Sequence, residues 1–150
     1  MNILIKNIIN QPPINQNTEI DKKKSLAEKW FKKLRDQICN DFTKIEHNFK
    51  INNNNFNRES KLKFPIFKQK KWIRDGGGGG VISIMKGDVF EKVGVNISTV
   101  YGKFSDKFKS QIPGAEKTGS FWASGISVVA HMNNPYVPAA HMNTRFLVTG

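Results

Sequence analysis

Apolar residues follow a helical spacing between Ser25 and about Phe49. The series consists of Leu26, Trp30, Leu34, Ile38, Phe42 and Ile45. Side chains three or four positions apart share one side of an α-helix, so this pattern predicts an amphipathic helix that packs against a core. Ser25 and Glu28 form an S-x-x-E capping box, which satisfies free backbone N–H groups at a helix N-terminus. The sequence therefore predicts that the helix begins at Ser25.

Beyond an Asn-rich stretch the hydrophobic pattern shortens to the alternation that is typical of β-strands. Short β-rich runs are separated by glycines, with Gly87 and Gly94 among the breaks. The runs are VISIM at 81–85, DVFEKVGV at 88–95, NISTVYG at 96–102, FWASGISVVAH at 121–131 and RFLVT at 145–149. The turn-rich interval 103–119 has room for one helical turn. This order of elements predicts an α+β fold, with an antiparallel sheet flanked by helices.

The chain divides by composition into two parts. Residues 1–24 carry Asn, Gln, prolines and a lysine run, which favours a mobile N-terminal arm over a packed element. Residues 25–150 have the size of one domain with one hydrophobic core. Hydrophobic residues make up 38% and charged residues 24% of the chain, a balance within the range of globular proteins.

The formal net charge of +12 raises the question of nucleic-acid binding. The excess is nearly all lysine, and the lysines are not interleaved with aromatic residues in a pattern that reads bases. Asn, Ile and Phe are frequent as well, so much of the charge fits compositional drift on a solvated surface. A basic nucleic-acid-binding protein is therefore the less favoured alternative.

Cys39 is the only cysteine, so no disulfide can form within the chain. It lies inside the helical pattern, where we expect an inert buried thiol. No segment approaches the roughly 20 consecutive apolar residues that a membrane-spanning helix needs. These features predict a cytoplasmic protein without a membrane partner.

Five consecutive glycines, Gly76–Gly80, invite comparison with a phosphate-binding loop, because glycine lets backbone amides approach an anion closely. The context argues against such a loop. No Gly-Lys-Ser/Thr follows, and the next segment is strand-like VISIM with no helix N-terminus to hold a phosphate. The run is predicted to connect two strands.

The tetrapeptide AHMN occurs at residues 130–133 and again at 140–143. The flanks of the two copies differ, which argues against an internal repeat. The H-x9-H spacing matches none of the tight ligand pairs of zinc sites, so it supports a metal site only weakly. As strands, the two segments alternate between the faces of a sheet. One face would carry Ser127, Val129 and His131 from the first segment and His141, Asn143 and Arg145 from the second.

The opposite side, with Met142, Thr144 and Phe146, would then face the core. The prolines of NNPYVPAA prevent regular strand pairing in the connection between the two segments. An arginine beside a histidine and an asparagine suits an anionic ligand, since a charge-assisted hydrogen bond contributes roughly 1.5–3 kcal/mol. A solvated sheet face accounts for the same pattern, and the residues alone leave both interpretations open.

Three long segments carry a family resemblance: WIRDGGGGGVISIMKGDVFEKVGVNISTVYG at 72–102, FWASGISVVAH at 121–131 and NPYVPAAHMNTRF at 134–146. They resemble oxygen-dependent coproporphyrinogen III oxidase, an enzyme family of haem biosynthesis. The resemblance covers about residues 25–150, in order and with the expected separations. It also identifies the glycine run as part of the family's signature segment.

The resemblance implies an enzyme that oxidatively decarboxylates two propionates of coproporphyrinogen III to vinyl groups. Dioxygen is the implied co-substrate and protoporphyrinogen IX the implied product, with no flavin or haem cofactor. The implied assembly is a homodimer whose subunit is a large antiparallel sheet flanked by helices. A divalent metal is proposed for bacterial members, although its requirement in the family is disputed.

The resemblance also implies roles for individual residues. His141 matches the proton donor, and Ser127 matches a substrate-contacting serine. Asn143, Thr144 and Arg145 match a substrate-binding tripeptide. We expect Arg145 to anchor a carboxylate and the amide of Asn143 to address pyrrole nitrogens. His131 and His141 match two of the proposed metal ligands.

Two features depart from the family pattern. His131 is followed by Met132-Asn133 where members commonly have a proline and a basic residue, so we expect a locally altered loop. Members are also much longer, so the sequence is expected to represent an N-terminal half that stops mid-sheet and leaves an unpaired edge. Three hypotheses follow: an enzyme represented by its N-terminal half, an inactive or split product that needs a C-terminal partner, and a basic nucleic-acid-binding protein.

Overall fold

The computed structural model describes residues 18–53 and 65–150. In chain order the elements are α1 (Glu19–Asn53), β1 (Lys68–Ile73), β2 (Gly78–Met85), β3 (Phe90–Lys103), α2 (Asp106–Lys109), β4 (Ser120–Met132) and β5 (Ala140–Thr149). The strands form one antiparallel sheet in the order β1-β2-β3-β4-β5. The predicted α+β class, the antiparallel sheet and the helical turn between residues 103 and 119 are confirmed.

The long helix α1 begins at Glu19, ahead of the predicted start at Ser25. Thr18 caps the helix, because its side-chain oxygen accepts a hydrogen bond from the Asp21 N–H at 3.2 Å. The Thr18 hydroxyl also bonds the Asp21 carboxylate, which lowers the pKa of that carboxyl. The predicted start was therefore wrong, since an earlier cap begins the helix. Of the predicted arm, residues 19–24 are helical and residues 1–17 lie outside the described residues.

The core lies between α1 and one face of the sheet, mainly at β3 and β4. The predicted helical stripe is confirmed in part: Leu34, Ile38 and Phe42 pack against the core, whereas Leu26 is 64% exposed and Trp30 is 53% exposed. The buried helix residues are Phe31, Arg35, Cys39 and Glu46. The apolar surface of α1 is wider than the part that the sheet covers, so apolar spacing alone did not show which of its residues lie outside the contact. We call the covered side of the sheet the helix face and the uncovered side the open face.

Gly76 and Gly77 lie in the turn between β1 and β2, as predicted for the glycine run, whereas Gly78, Gly79 and Gly80 already belong to β2. The Gly77 N–H donates to the Arg74 carbonyl at 3.0 Å. Gly77 and Gly78 have φ values of 113° and 85°, which favour glycine. By contrast, the prediction that Gly94 breaks a strand was wrong. It lies inside β3 with partners on both sides, Ile84 and Val129, and its backbone is extended rather than left-handed.

A buried carboxylate ties α1 to the loop between β2 and β3. Glu46 is 0% exposed and accepts hydrogen bonds from the backbone N–H groups of Asp88, Val89 and Phe90 at 2.9, 3.0 and 2.8 Å. The Asn133 amide donates to the carbonyls of Gly87 and Asp88 in the same loop. Asn133, one of the two residues that differ from the family pattern, thus fixes the end of β4 close to His131.

Candidate functional site

The register between β4 and β5 brings most of the predicted site residues together. Ser127 pairs with Asn143, Gly125 with Arg145, and Val129 with His141. The core residues Ile126, Val128 and Ala130 alternate with these positions, so the site residues lie on the open face. The prediction that the two segments share one face is confirmed.

Thr144 is the exception among the residues of the predicted tripeptide. It pairs with the core residue Ile126, so its position belongs to the helix face, opposite to Asn143 and Arg145. The chain at Thr144 still lines a depression on the open face. Any contact from this residue to a ligand on the open face would therefore come from its backbone.

His131 and His141 lie side by side at one end of the site. Their Nε2 atoms are 3.4 Å apart, and the ring centroids are 5.5 Å apart. Both rings are exposed, and in this contact one ring donates and the other accepts according to tautomer. The pair is thus positioned to hold or pass a proton at the Nε2 atoms.

The same spacing fits two ligands of one metal ion. Two ring nitrogens bound at about 2.0–2.1 Å to a tetrahedral metal lie about 3.3 Å apart, close to the observed 3.4 Å between Nε2 atoms. Within residues 18–53 and 65–150, no group of three or more His, Cys, Asp or Glu side chains is placed to hold a metal. The described residues therefore supply two ligands at most in this place.

An open depression of about 110 Å³ lies on the open face, and its lining includes Asn143, the next open-face residue after His141 on β5. Its lining combines the predicted Ser127, Asn143 and Arg145 with three residues that sequence reasoning missed, Trp72, Asn96 and Ser98. The carbonyl oxygen of the Asn96 side chain accepts from the Ser83 backbone N–H at 3.3 Å. The available signal for Asn96 and Ser98 was their alternation with Val95 and Ile97 in the run GVNISTV.

The charged groups on the open face are almost all positive. The five strands contain a single acidic residue, Glu91, at the bulge in β3. Lys70 and Lys92 occupy open-face positions along with Arg145. Within the described part of the chain, the exposed guanidinium of Arg145 makes no ion pair. Among the described strand residues, this face therefore presents cationic and neutral polar groups without a compensating carboxylate.

A larger cavity of about 410 Å³ lies between α1 and the sheet. Most of its surface is apolar, with Phe31, Val81 and Ile97 in its lining. The groups that can bind an anion lie instead at the smaller depression, and the histidine pair lies on the same face of the sheet. We therefore place the candidate site on the open face.

None of the helices in residues 18–53 and 65–150 has the length and apolar character of a membrane span.

The fold and the site together define an α+β domain whose open sheet face carries guanidinium, amide, hydroxyl and imidazole groups. Residues 26–150 match the family model of coproporphyrinogen III oxidase. The chain belongs to the coproporphyrinogen III oxidase family, which confirms the resemblance seen in the sequence.

Curated relatives agree with this assignment. The chain is 52% identical over 126 residues to an oxygen-dependent coproporphyrinogen-III oxidase of Rickettsia felis. It is 51% identical over 128 residues to the enzyme of the same name from Rickettsia bellii. These matches cover 84% and 85% of this chain but 43% of each relative. The chain therefore spans less than half the length of the curated relatives it matches.

Proposed function

We propose that the chain provides the carboxylate-binding part of an oxygen-dependent coproporphyrinogen III oxidase. The reaction is the oxidative decarboxylation of two propionates of coproporphyrinogen III to vinyl groups, with dioxygen, giving protoporphyrinogen IX. The observation that carries this proposal is the open face itself, where Arg145, unpaired within the described residues, lies on strands that are nearly free of acidic residues. A tetracarboxylate needs such a surface, because a buried or half-buried carboxylate must be matched by a cation or by hydrogen-bond donors.

The residues divide the work by position. Arg145 binds a carboxylate through its guanidinium, and Ser127 and Asn143 offer a hydroxyl and an amide from adjacent positions in the ladder. His141 donates the proton, and His131, with its Nε2 atom 3.4 Å from that of His141, holds the ring in place. Binding and proton transfer thus occupy neighbouring parts of one face.

The co-reactants of the proposal follow the family resemblance. Dioxygen is the co-substrate, and neither flavin nor haem takes part. A divalent metal, when bound, would be held by the Nε2 atoms of His131 and His141 and would supply Lewis-acid stabilisation of negative charge. The proton-donor role of His141 requires that its ring be free of metal in that step.

The partner of this chain is, in our proposal, the sequence that makes up the rest of its relatives, with a homodimer as the completed assembly. A second strand partner fits at β5, which is one edge of the five-stranded sheet.

Many α1 lysines are exposed, including Lys23, Lys29 and Lys33, and they lie on a helix away from the candidate site. The cytoplasmic location stays a prediction.

The experiment that tests the proposal is an anaerobic equilibrium titration of the purified chain with coproporphyrinogen III. The tetramethyl ester of the same porphyrinogen is the matched control, because it keeps the macrocycle and lacks the charges. We expect saturable binding of the acid and none of the ester. Equal binding of both compounds, or binding of neither, would contradict a carboxylate site. Retention on nucleic acid with a steep salt dependence would favour the alternative instead.

A further inference from the structure

One wall of the depression is an aromatic side chain, Trp72 of β1. Trp72 pairs with Gly80 across the hairpin. A Cβ atom at Gly80 would lie 2.9 Å from both Cε2 and Cζ2 of the indole, so the ring lies directly against the glycine. Trp72 is half-buried, which leaves part of the indole open to the depression.

Between Trp72 and Arg145 the open face of the sheet carries only small residues. In register across the five strands, the residues at this level are Trp72, Gly80, Ser98, Gly125 and Arg145. The three central residues have no side chain or a very small one. Four interstrand spacings of about 4.8 Å place the two ends of the row about 19 Å apart along the sheet. An aromatic side chain thus stands at one end of the row and a cation at the other, with no large side chain between them.

We propose that Trp72 is a substrate-binding residue whose indole packs against a pyrrole ring of the tetrapyrrole while Arg145 holds a carboxylate on the other side. This inference rests on the proposed function and adds a binding residue to it. The row without large side chains leaves room for a large ring system with acidic arms, whereas a small carboxylic acid would reach only one end. Ring contacts of this kind favour offset or edge-to-face geometry and add to the burial of apolar surface.

The other two tryptophans of the chain provide matched controls. Trp30 lies on the exposed side of α1, and Trp122 lies on β4 at a helix-face position, paired with Val148. Neither lines the depression. Replacement of Trp30 therefore removes an indole of the same size without touching the proposed binding surface.

The test is a fluorescence titration with coproporphyrin III, the stable oxidised tetracarboxylate, at low and high salt. We expect Trp72→Leu to weaken binding about tenfold at both salt concentrations, because the contact is not ionic. Arg145→Ala should weaken binding mainly at low salt, and Trp30→Leu should leave it unchanged. Trp72→Phe keeps a smaller aromatic face, so its affinity should fall between those of the wild type and Trp72→Leu. It also serves as the deciding variant if Trp72→Leu unfolds.

The outcomes separate the two proposals. If the wild-type chain binds coproporphyrin III and the folded Trp72 variants bind equally well, the role of Trp72 is wrong and the proposed function stands. If the wild-type chain binds no coproporphyrin III, both fail. A loss in the Trp72 variants that disappears at high salt would also contradict a ring contact, since it would point to a disturbed charge site.

Discussion

Arg145 and Thr144 are neighbours in β5 that lie on opposite faces of the sheet. This placement predicts different effects of mutation within the tripeptide 143–145. Arg145→Ala should weaken the binding of coproporphyrin III by about tenfold to a hundredfold, because a charge-assisted hydrogen bond contributes roughly 1.5–3 kcal/mol. Thr144→Val should leave the affinity unchanged, since the threonine side chain lies on the helix face. Calorimetric titration of both variants checks this difference, and a large loss in Thr144→Val would show that its side chain contacts the ligand.

The thiol of Cys39 confirms the prediction of a buried cysteine, and it makes stability depend on pH. Burial raises the pKa of the thiol from its ordinary 9.0 to about 11. Between these values the unfolded chain loses the thiol proton and the folded chain keeps it, so the free energy of unfolding should fall as pH rises from 9 to 11.

Urea unfolding at several pH values measures this dependence. Cys39→Ala is the control, because it keeps the titration of the lysines and removes that of the thiol. The wild type should lose more stability than Cys39→Ala across this interval. Parallel pH profiles for the two proteins would mean that the folded state does not retain the thiol proton.

Site residues that lie on the same strand were predictable from the sequence, because side chains alternate between the two faces along a strand. Ser127 and His131 share a face by simple alternation, as do Asn143 and Arg145. Trp72 was not predictable in this way, because its place beside the site depends on how β1 pairs across the glycine hairpin. The 3.4 Å contact of the two histidines likewise depends on strand register, which the proline-containing connection does not reveal.

At the scale of elements, Glu46 holds α1 and the β2–β3 loop together. Its carboxylate is fully buried and accepts three backbone hydrogen bonds from Asp88, Val89 and Phe90. Glu46→Ala would leave three N–H groups without their acceptor, so we expect a loss of about 3 kcal/mol in the free energy of unfolding. Asp41→Asn on the exposed side of α1 should change it by less than about 0.5 kcal/mol.

Chemical unfolding followed by circular dichroism measures both effects. A small effect of Glu46→Ala, similar to that of Asp41→Asn, would mean that water replaces the carboxylate without cost and that the loop is held by other contacts.

Two strand glycines make a second contrast between elements. A Cβ at Gly80 would lie 2.3 Å from the carbonyl oxygen of Ile97, whereas a Cβ at Gly94 would meet only the Asn96 amide nitrogen at 3.6 Å. Gly80→Ala should therefore cost roughly 1–3 kcal/mol in the free energy of unfolding through strain. Gly94→Ala should be neutral or slightly stabilising. Thermal unfolding of the two variants distinguishes them, and equal melting temperatures would contradict the close approach at Gly80.

The elements themselves were largely predictable, and their boundaries less so. The helix and most of the strands followed from periodicity, which is a strong local signal, whereas the helical turn at 106–109 was expected only from the turn-rich interval that contains it. The start of α1 was missed because Thr18 and Asp21 cap it ahead of an equally plausible cap at Ser25. Gly94 was taken as a break because glycine weakens isolated strands, yet pairing on both sides keeps it within β3.

At the scale of the whole molecule, the described residues form a sheet with one covered face and one open face. α1 covers the helix face, and the open face carries the candidate site. The edges of the sheet are β1 and β5, and β5 adjoins the site directly. An added strand at β5 would thus extend the binding surface as well as the sheet.

The central claim is that this chain holds the substrate and its proton donor for a coproporphyrinogen III oxidase. The most direct test combines the chain with the part of the Rickettsia felis relative beyond the matched region, admits oxygen to the complex with coproporphyrinogen III, and measures protoporphyrin. We expect turnover by the combined wild-type chains, little by either alone, and a large loss with His141→Ala at unchanged binding. Full turnover with His141→Ala, or none in any combination of folded chains that bind substrate, would contradict the claim.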